Sequence, residues 1–448
     1  MENINLKLLA MLRRELVTSV GCTEPAAVAL ACATSRRYLC DELAKLSIVV
    51  SKDVFKNGFK VGIPGSSQKG LFIAAALGYL FGDSETELEV LSGISSESLP
   101  HAEKLVKSGM ISIDIDHRYD GLYIKVVAEG DHNSSEVVIQ HEHNHVTYIA
   151  TNGGVIFENL NAGNAGQPNC QEVLDEVSPE RIIRFADEVP IEDIAFIYDA
   201  AVVNLEAARQ GMAQGWGLNI GKTLLSIDDG FEGSSTDLTM SGITRASAWA
   251  AAASDARMSG NSCPVVINSG SGNQGITASL PVLSIAKDLG MKKEIVTRAL
   301  AVSHLMALYQ KHFSDRISAF CGVVTAATGA GCGTAYMMGG RLPEIEDTIN
   351  TALGGISGMI CDGAKPSCAM KIALAVQNGL LACVLSLKGK RITPGEGIVA
   401  KDACTTIRNI GVLARDGMCR TDEIILQIML NGDLSSTSNV GPSEESLV

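Results

Sequence analysis

The feature that most constrains this fold is a change of hydrophobic period near residue 175. Before it, stretches such as MISIDI, GLYIKVVAEG and SEVVIQHEH alternate or run apolar between turn residues, which is typical of an antiparallel meander. After it, apolar residues recur with the helical period and strand patterns almost disappear. The helical stretches are 191–213, 236–258, 275–289, 293–313, 345–361, 369–386 and 396–415. The sequence therefore predicts an α+β fold, with an N-terminal α+β domain containing an antiparallel sheet and a large all-α C-terminal domain.

The first part mixes helices with its strands. The predicted elements before the meander are helices over 5–20, 26–44 and 70–82 and a strand over 46–55. A polar segment rich in Asn and Gly, residues 158–172, interrupts the pattern and marks a domain boundary. We expect domains at residues 1–170 and 171–448.

Charge and hydropathy exclude several classes of protein. The net charge of −14 and the lack of a basic stripe argue against a nucleic-acid partner. The chain has no run of eighteen apolar residues, so no membrane span is expected. The N-terminal segment has charges within its apolar pattern, unlike a signal peptide, so we expect a cytoplasmic protein. A small-molecule partner fits best, and the oligomeric state, a homo-oligomer included, stays open.

The chain contains twelve cysteines, which a reducing cytosol would keep as thiols. Cys32 and Cys383 lie in apolar helical patterns and are interpreted as small core residues. Cys321, Cys361 and Cys368 instead lie where helices end or glycine-rich corners begin. Loops of this kind can direct several thiolates at one centre. The spacing leaves three interpretations open: an iron–sulfur cluster, a structural zinc site, or ordinary core and loop cysteines.

A fourth cysteine stands out in the segment VGCTEPAAVALA. Pro25 begins a helix there, which places Cys22 just before the helix N-terminus. The positive end of a helix favours a thiolate, while Glu24 opposes it. The alternative is a buried small residue at a helix corner.

Two glycine-rich loops each precede an apolar helix. They are NGFKVGIPGSSQKG at 57–70 and NSGSGNQG at 268–275, and both suit an anion such as a carboxylate, although capped turns are the plainer alternative. GLNIGKT at 217–223 lacks the spacing of a phosphate-binding loop. HEHNH at 141–145 would place three histidines on one strand face, and a solvated strand end is the favoured interpretation.

Together these motifs resemble a known family. GCTEPAAVA, GIPG with IAAALG, DARMSG, GSGNQG and the trio Cys321, Cys361 and Cys368 resemble the L-cysteine desulfidases, which are related to the bacterial iron–sulfur L-serine dehydratases. The resemblance runs over nearly the whole chain. Its N-terminal part resembles the beta portion of the dehydratases and its C-terminal part the alpha portion.

The resemblance implies β-elimination of L-cysteine to hydrogen sulfide, ammonia and pyruvate, with a [4Fe–4S] cluster and without pyridoxal phosphate. Cys321, Cys361 and Cys368 would be the cluster ligands and Cys22 the base at the α-carbon. An L-serine dehydratase with the same mechanism is the second interpretation, and a non-catalytic iron–sulfur sensor or a structural zinc protein is the third. We expect the substrate in a cleft between the domains, and His143 is the first alternative base. The expected substrate-binding residues are Thr23, Asn57, Gly58, Gly65, Ser271, Asn273 and Gln274.

Overall fold

The computed structural model describes residues 3–66, 68–95, 97–119, 121–159, 170–228, 240–314 and 317–431. Its helices are α1 Asn3–Glu15, α2 Thr23–Tyr38, α3 Lys52–Gly58, α4 Leu71–Phe81, α5 Ser98–Lys107, α6 Cys170–Asp175, α7 Pro179–Glu188, α8 Ile191–Ala213, α9 Ile220–Asp228, α10 Met240–Met258, α11 Gly272–Asp288, α12 Lys293–Phe313, α13 Gly322–Met337, α14 Leu342–Ile356, α15 Cys368–Leu387, α16 Ala403–Val412 and α17 Cys419–Asn431. Its strands are β1 Thr18–Ser19, β2 Lys45–Val50, β3 Ile111–Ile115, β4 Tyr123–Glu129, β5 Ser134–Gln140, β6 Val146–Thr151, β7 Gly154–Glu158 and β8 Val265–Val266. The sheet before the long helices confirms the α+β class.

Six strands form one sheet in the order β3-β2-β4-β5-β6-β7. From β2 through β7 the neighbours are antiparallel, as the meander predicts, but β3 pairs with β2 in parallel. The parallel pair arises because three helices, α3, α4 and α5, intervene between the two strands, and a parallel pair needs such a crossover. The predicted strand over 46–55 ends early, at Val50. Ser51 caps α3 there by accepting a hydrogen bond from the amide of Val54.

Two apolar cores hold the molecule together. Helices α2 and α4 pack on the sheet and bury one core. Helix α1, helices α7 and α8 and the helices from α10 to α16 bury the other, so Leu8 and Leu12 near the start of the chain lie among helices from its second half. The short β1–β8 pair joins the same distant parts of the chain. The predicted boundary segment lies largely outside the described residues.

Glycines bring the central helices into close contact. A Cβ atom on Gly331 in α13 would lie 2.4 Å from the Gly379 carbonyl oxygen in α15, and one on Gly379 would lie 2.3 Å from the Ala327 carbonyl oxygen. These distances are below any normal contact, so only glycine permits this approach of the two backbones. The glycine-rich composition therefore serves helix packing as well as loops.

Helix α15 is long and apolar enough to cross a membrane, and half of it is buried inside the fold. It packs against α10, α13 and α14, as a core helix does. Its first residue, Cys368, belongs to the candidate site.

Candidate active site

A short β-bridge brings two of the predicted ligand cysteines together. Phe320 pairs with Ile360, and the amide of Cys361 donates to the Ala319 carbonyl at 2.6 Å. The amide of Cys321 donates to the Met359 carbonyl at 3.1 Å. As a result the thiols of Cys321 and Cys361 form a hydrogen bond across the bridge, although forty positions separate them in the sequence.

Cys368 completes the trio from the other end of the same loop. It is the first residue of α15, and its Sγ lies 3.7 Å from the Gly363 carbonyl oxygen. The negative charge of a Cys368 thiolate would interact electrostatically with both Cys321 and Cys361. The structure therefore places all three predicted ligand thiols in one electrostatically coupled group, and all three are free thiols.

The surroundings of this trio favour one thiolate. The hydrogen bond from Cys321 lowers the pKa of Cys361 to about 5, against the effect of burial, and the ammonium groups of Lys56 and Lys371 lower it further. The same hydrogen bond, with burial, raises the pKa of Cys321. Burial raises the pKa of Cys368. Before any metal binds, the negative charge therefore lies on Cys361.

Lys56 is a buried cation that the sequence did not single out. It is 1% exposed and forms an ion pair with Asp422, which links α3 to α17. The loop that carries Cys361 lies directly on α3, because a Cβ on Gly363 would lie 2.4 Å from the Lys56 carbonyl oxygen. The N-terminal part of the chain therefore supplies a positive charge to thiols carried by the C-terminal part.

Cys22 lies at the N-cap of α2, as predicted, and is buried. It belongs to a small apolar cluster with Val61 and Met258, on which Cys368 also packs. The expectation of a helix-stabilised thiolate is wrong for this state. Burial and the neighbouring Glu24 carboxylate raise the pKa of Cys22 well above its usual value, and they outweigh the opposing charge of Arg257.

Glu24 is the centre of the polar contacts around Cys22. Its Oε2 accepts from the Cys22 thiol at 3.1 Å and from the Thr23 hydroxyl at 3.2 Å, and its Oε1 accepts from the Asn57 amide at 2.8 Å. Burial would raise the pKa of Glu24, but nearby His143 and these donors lower it more, so it lies well below its usual range. Cys22 and Glu24 thus form a thiol–carboxylate pair.

His143 departs from the solvated position expected for it. The segment HEHNH is the turn between β5 and β6, and His141 adopts a positive φ of 69° there. The turn directs His143 inward, where it is 4% exposed and its Nε2 lies 3.7 Å from the Glu24 Oε1. Neither ring nitrogen has a hydrogen-bond partner. The interpretation as a solvated strand end is therefore wrong for this residue.

The first glycine loop joins the site to the end of α10. Asn57 and Gly58 belong to α3, and Gly58 packs so closely on Leu71 that a Cβ would lie 2.2 Å from it. Farther along, the amide of Gly65 donates to the Gly260 carbonyl at 3.2 Å. Gly58 and Gly65 thus hold the loop in place against its neighbours, and the Asn57 amide reaches Glu24.

The second glycine loop begins α11 with Ser271 at the N-cap. Asn273 accepts through Oδ1 from the Ser254 hydroxyl at 3.2 Å and from the Arg257 Nη1 at 3.1 Å. The Gln274 side chain lies against Gly322, next to Cys321, because a Cβ on that glycine would lie 2.7 Å from it. The loop therefore spans the distance between the Cys22 side of the site and the thiol trio.

The donors of the trio suit an iron–sulfur cluster. Thiolates hold such clusters, one per iron, and three of them leave one iron open. Within the described ranges, no group of three or more His, Cys, Asp or Glu side chains is placed to hold a single metal ion. A structural zinc site needs four ligands around one ion, and the trio supplies three.

A separate cleft of about 790 Å³ lies between α1, α2 and the β5–β6 turn. Its lining includes Arg14 and Arg37, which are paired with Glu142 and Glu85. None of the predicted ligand or substrate residues lines it. This cleft is therefore distinct from the trio and from the Cys22–Glu24 pair.

The structure combines an α+β fold with three coupled thiols that lie beside a buried thiol–carboxylate pair. The chain belongs to the serine dehydratase alpha chain family, whose model matches residues 85–427. The match begins after β2, so it includes five of the six strands of the large sheet but not Cys22, Glu24 or Asn57. This family is associated with iron–sulfur clusters and with lyase activity.

Relatives from several bacteria match almost the full length of the chain, and each is named a UPF0597 protein. The one from Parabacteroides distasonis is 40% identical over 95% of this chain and 98% of its own length. The one from Clostridium tetani is 36% identical over 95% and 98%, and that from Porphyromonas gingivalis is 38% identical over 94% and 98%. Their names specify no substrate.

Proposed function

We propose that this protein is an iron–sulfur lyase that converts L-cysteine to hydrogen sulfide, ammonia and pyruvate without pyridoxal phosphate. The observation that supports this most is the position of the Cys22–Glu24 pair beside Cys368 of the thiol trio. The α-proton of an amino acid is a weak acid, so its removal requires a positioned base and stabilisation of the developing charge. In this proposal the Cys22–Glu24 pair supplies the base, and the centre held by the thiol trio stabilises the charge.

In this proposal Cys321, Cys361 and Cys368 hold a [4Fe–4S] cluster. When bound, the cluster supplies an open iron that acts as a Lewis acid on the substrate. The residues around it neutralise the charge of the ligands. Lys56 and Lys371 both act on Cys361, and Lys371 also donates to the Ile360 carbonyl at 2.8 Å.

The Cys22–Glu24 pair supplies the base. At rest the proton is on Cys22, and the carboxylate of Glu24 accepts its hydrogen bond. Cys22 gives up this proton to the solvent before the elimination, and its raised pKa makes the resulting thiolate a strong base for a weakly acidic C–H bond. Cys22 then takes the α-proton, and the electron pair of that C–H bond forms the new C=C bond. Bisulfide leaves with the electrons of the C–S bond and takes its second proton from the solvent, while the Glu24 carboxylate keeps its hydrogen bond to Cys22.

The remaining steps need only water. Elimination leaves 2-aminoacrylate, which tautomerises to the imine, and addition of one water gives pyruvate and ammonia. His143 is the next polar group beyond Glu24 and lies on the side away from the thiol. It stabilises the negative charge of the carboxylate between turnovers.

L-Serine is the second candidate substrate, and the family match favours it, because that family is described by serine dehydratase. The GCTEP segment favours cysteine, since it resembles the desulfidases at the point where Cys22 faces the site. Bisulfide is also a better leaving group than hydroxide, and a soft sulfur suits iron.

A rate comparison tests the proposal. The protein is loaded with iron and sulfide without oxygen, and kcat/KM is measured for L-cysteine and L-serine with no added pyridoxal phosphate. We expect cysteine to be preferred at least tenfold, which corresponds to about 1.4 kcal/mol of transition-state binding. A preference for L-serine would overturn the assignment of L-cysteine as the substrate. If the loaded protein converts neither amino acid, the lyase proposal itself is overturned. Cys383→Ala serves as the matched control with unchanged rates.

The proposal includes a cytoplasmic location. The eleven cysteines other than Cys170 are free thiols. A reducing compartment preserves such thiols and the cluster that three of them would hold.

A further inference from the structure

The end of α10 carries a buried arginine whose charge has no acidic partner. Arg257 is 3% exposed, and within the described residues it forms no ion pair. Its Nε donates to the Gly21 carbonyl at 3.0 Å and its Nη1 to Asn273, while its Nη2 has no hydrogen-bond partner. A buried guanidinium with a free donor is costly, so such a group is kept where an anion binds.

Its position identifies where that anion would lie. The Gly21 carbonyl immediately precedes Cys22, and Gly272 begins α11 on the other side of the guanidinium. A Cβ on Gly272 would lie 2.4 Å from the Arg257 Nε, so the guanidinium rests on the first turn of that helix. Ser271, the N-cap residue, makes no side-chain hydrogen bond to the helix. The free Nη2 and an uncapped helix N-terminus therefore meet beside the proposed base.

Other unpartnered polar atoms in the site are acceptors. The Asn57 Oδ1 and the Gln274 Oε1 are both buried without a hydrogen-bond partner. Asn57 also touches Glu24, and Gln274 lies beside Cys321. Donors for an anion and acceptors for a cation are therefore present in the same site, as a zwitterion requires.

We propose that Arg257, with the N-terminus of α11, binds the α-carboxylate of a free amino acid while Asn57 and Gln274 accept from its ammonium group. This inference rests on the proposed function and adds a specificity to it. Because the site requires a free carboxylate, it excludes three kinds of compound as substrates: amino-acid amides, amino-acid esters and residues followed by a peptide bond. Arg257 fixes the α-carbon relative to Cys22 because its Nε is bound to the carbonyl directly before that residue.

A binding cycle with unreactive ligands tests this directly. L-Alanine has no β-leaving group, and L-alaninamide differs from it only in lacking the carboxylate charge. Their affinities for the iron-loaded protein are measured by NMR titration. We expect the wild type to prefer alanine at least tenfold, because a charged hydrogen-bond pair contributes more than a neutral one. Arg257→Gln should lose this preference by weakening alanine binding alone.

Two further variants guard against a merely structural effect. Arg245→Gln removes an arginine from the same helix whose partner is Asp288, and it should bind both ligands as the wild type does. Gly272→Ala retains Arg257 but moves its guanidinium, and it should weaken alanine binding more than alaninamide binding. Circular dichroism and thermal unfolding establish that each variant is folded.

The possible outcomes test the carboxylate site independently of the proposed lyase reaction. Equal weakening of both ligands in Arg257→Gln, or no preference for alanine in the wild type, would overturn the carboxylate site. An unchanged KM for L-cysteine in that variant would overturn it too and would leave the lyase proposal intact. Conversely, an Arg257-dependent preference in a protein that eliminates from neither cysteine nor serine would support the site and reject the reaction.

Discussion

Cys361 and Cys383 lie in the same helical half of the molecule and have opposite acid–base character. Burial in the core between α13 and α15 raises the pKa of Cys383 to about 12. Cys361 has a pKa of about 5, because Cys321 donates to it and two lysines lie near it. The difference teaches that its neighbours decide whether a buried cysteine is ionised at neutral pH, since removal from water alone makes a thiol inert.

The strongest test of this comparison is iron binding. Replacing Cys321, Cys361 or Cys368 with Ala should abolish iron and sulfide incorporation, since each is expected to hold one iron of the cluster. Cys383→Ala should retain the full content measured after anaerobic reconstitution. Full iron content in any of the three variants would remove that residue from the ligand set.

Cys22 extends the comparison to a buried thiol whose neighbour is a carboxylate. Cys22→Ser should keep its iron and lose at least about a hundredfold in kcat, because a general base contributes 10²–10⁴-fold and a serine hydroxyl is far less readily ionised. Cys32→Ser, in the same helix and with a pKa raised by burial alone, is the matched control. Loss of iron in Cys22→Ser would make Cys22 a ligand and transfer the role of base to His143.

Proton affinity can be compared directly in the metal-free protein. Because the pKa of Cys361 is lowered to about 5, its thiolate fraction should rise between pH 4 and 6 and stay high at neutral pH. Alkylation by iodoacetamide, followed residue by residue with mass spectrometry, should have its midpoint in that range. Cys383 should stay unlabelled while the protein is folded. Equal labelling of the two residues at pH 7 would contradict the comparison.

The smallest expected effect concerns the cause of the difference in pKa between Cys361 and Cys383. Lys56→Gln removes a buried cation near Cys361, so the midpoint of its alkylation should rise by about one pH unit, within the range that one nearby charge produces. Lys60→Gln changes an exposed lysine two residues beyond α3 and should leave the midpoint unchanged. A midpoint that stays constant in Lys56→Gln would assign the low pKa to the hydrogen bond from Cys321 alone.

Periodicity predicted the helices well where the core is uniform. Helices α8 and α12 have the predicted bounds, 191–213 and 293–313. Periodicity predicts helix bounds less well where the backbone conformation of single residues determines where a helix begins. The helix expected from 396 begins only at Ala403, because Gly395 and Gly397 adopt positive φ values of 91° and 61°.

The site was predictable only in part. The sequence identified the cysteines, since their spacing and their corners are local features. It could not show that Phe320 and Ile360 pair, or that Lys56 meets Asp422 across 366 positions, because those contacts depend on the packing of whole helices. DARMSG contributes to the family resemblance, but only the structure shows that Arg257 within it is buried and forms no ion pair with the described residues. The sequence predicts a solvated strand end at His143, because the alternation of polar and apolar residues does not reveal a turn that directs this side chain inward.

The bridge between Phe320 and Ile360 bears on how the protein is maintained. It is made of backbone hydrogen bonds, so it holds Cys321 and Cys361 side by side whether or not metal is present. Many small metal-binding domains unfold when the ion leaves, because ion binding provides their folding free energy. Here two large apolar cores provide it instead. If the proposed cluster is present, a molecule that loses it to oxygen would therefore stay folded, with Cys321 and Cys361 still side by side, and could be reloaded instead of being degraded and synthesised again.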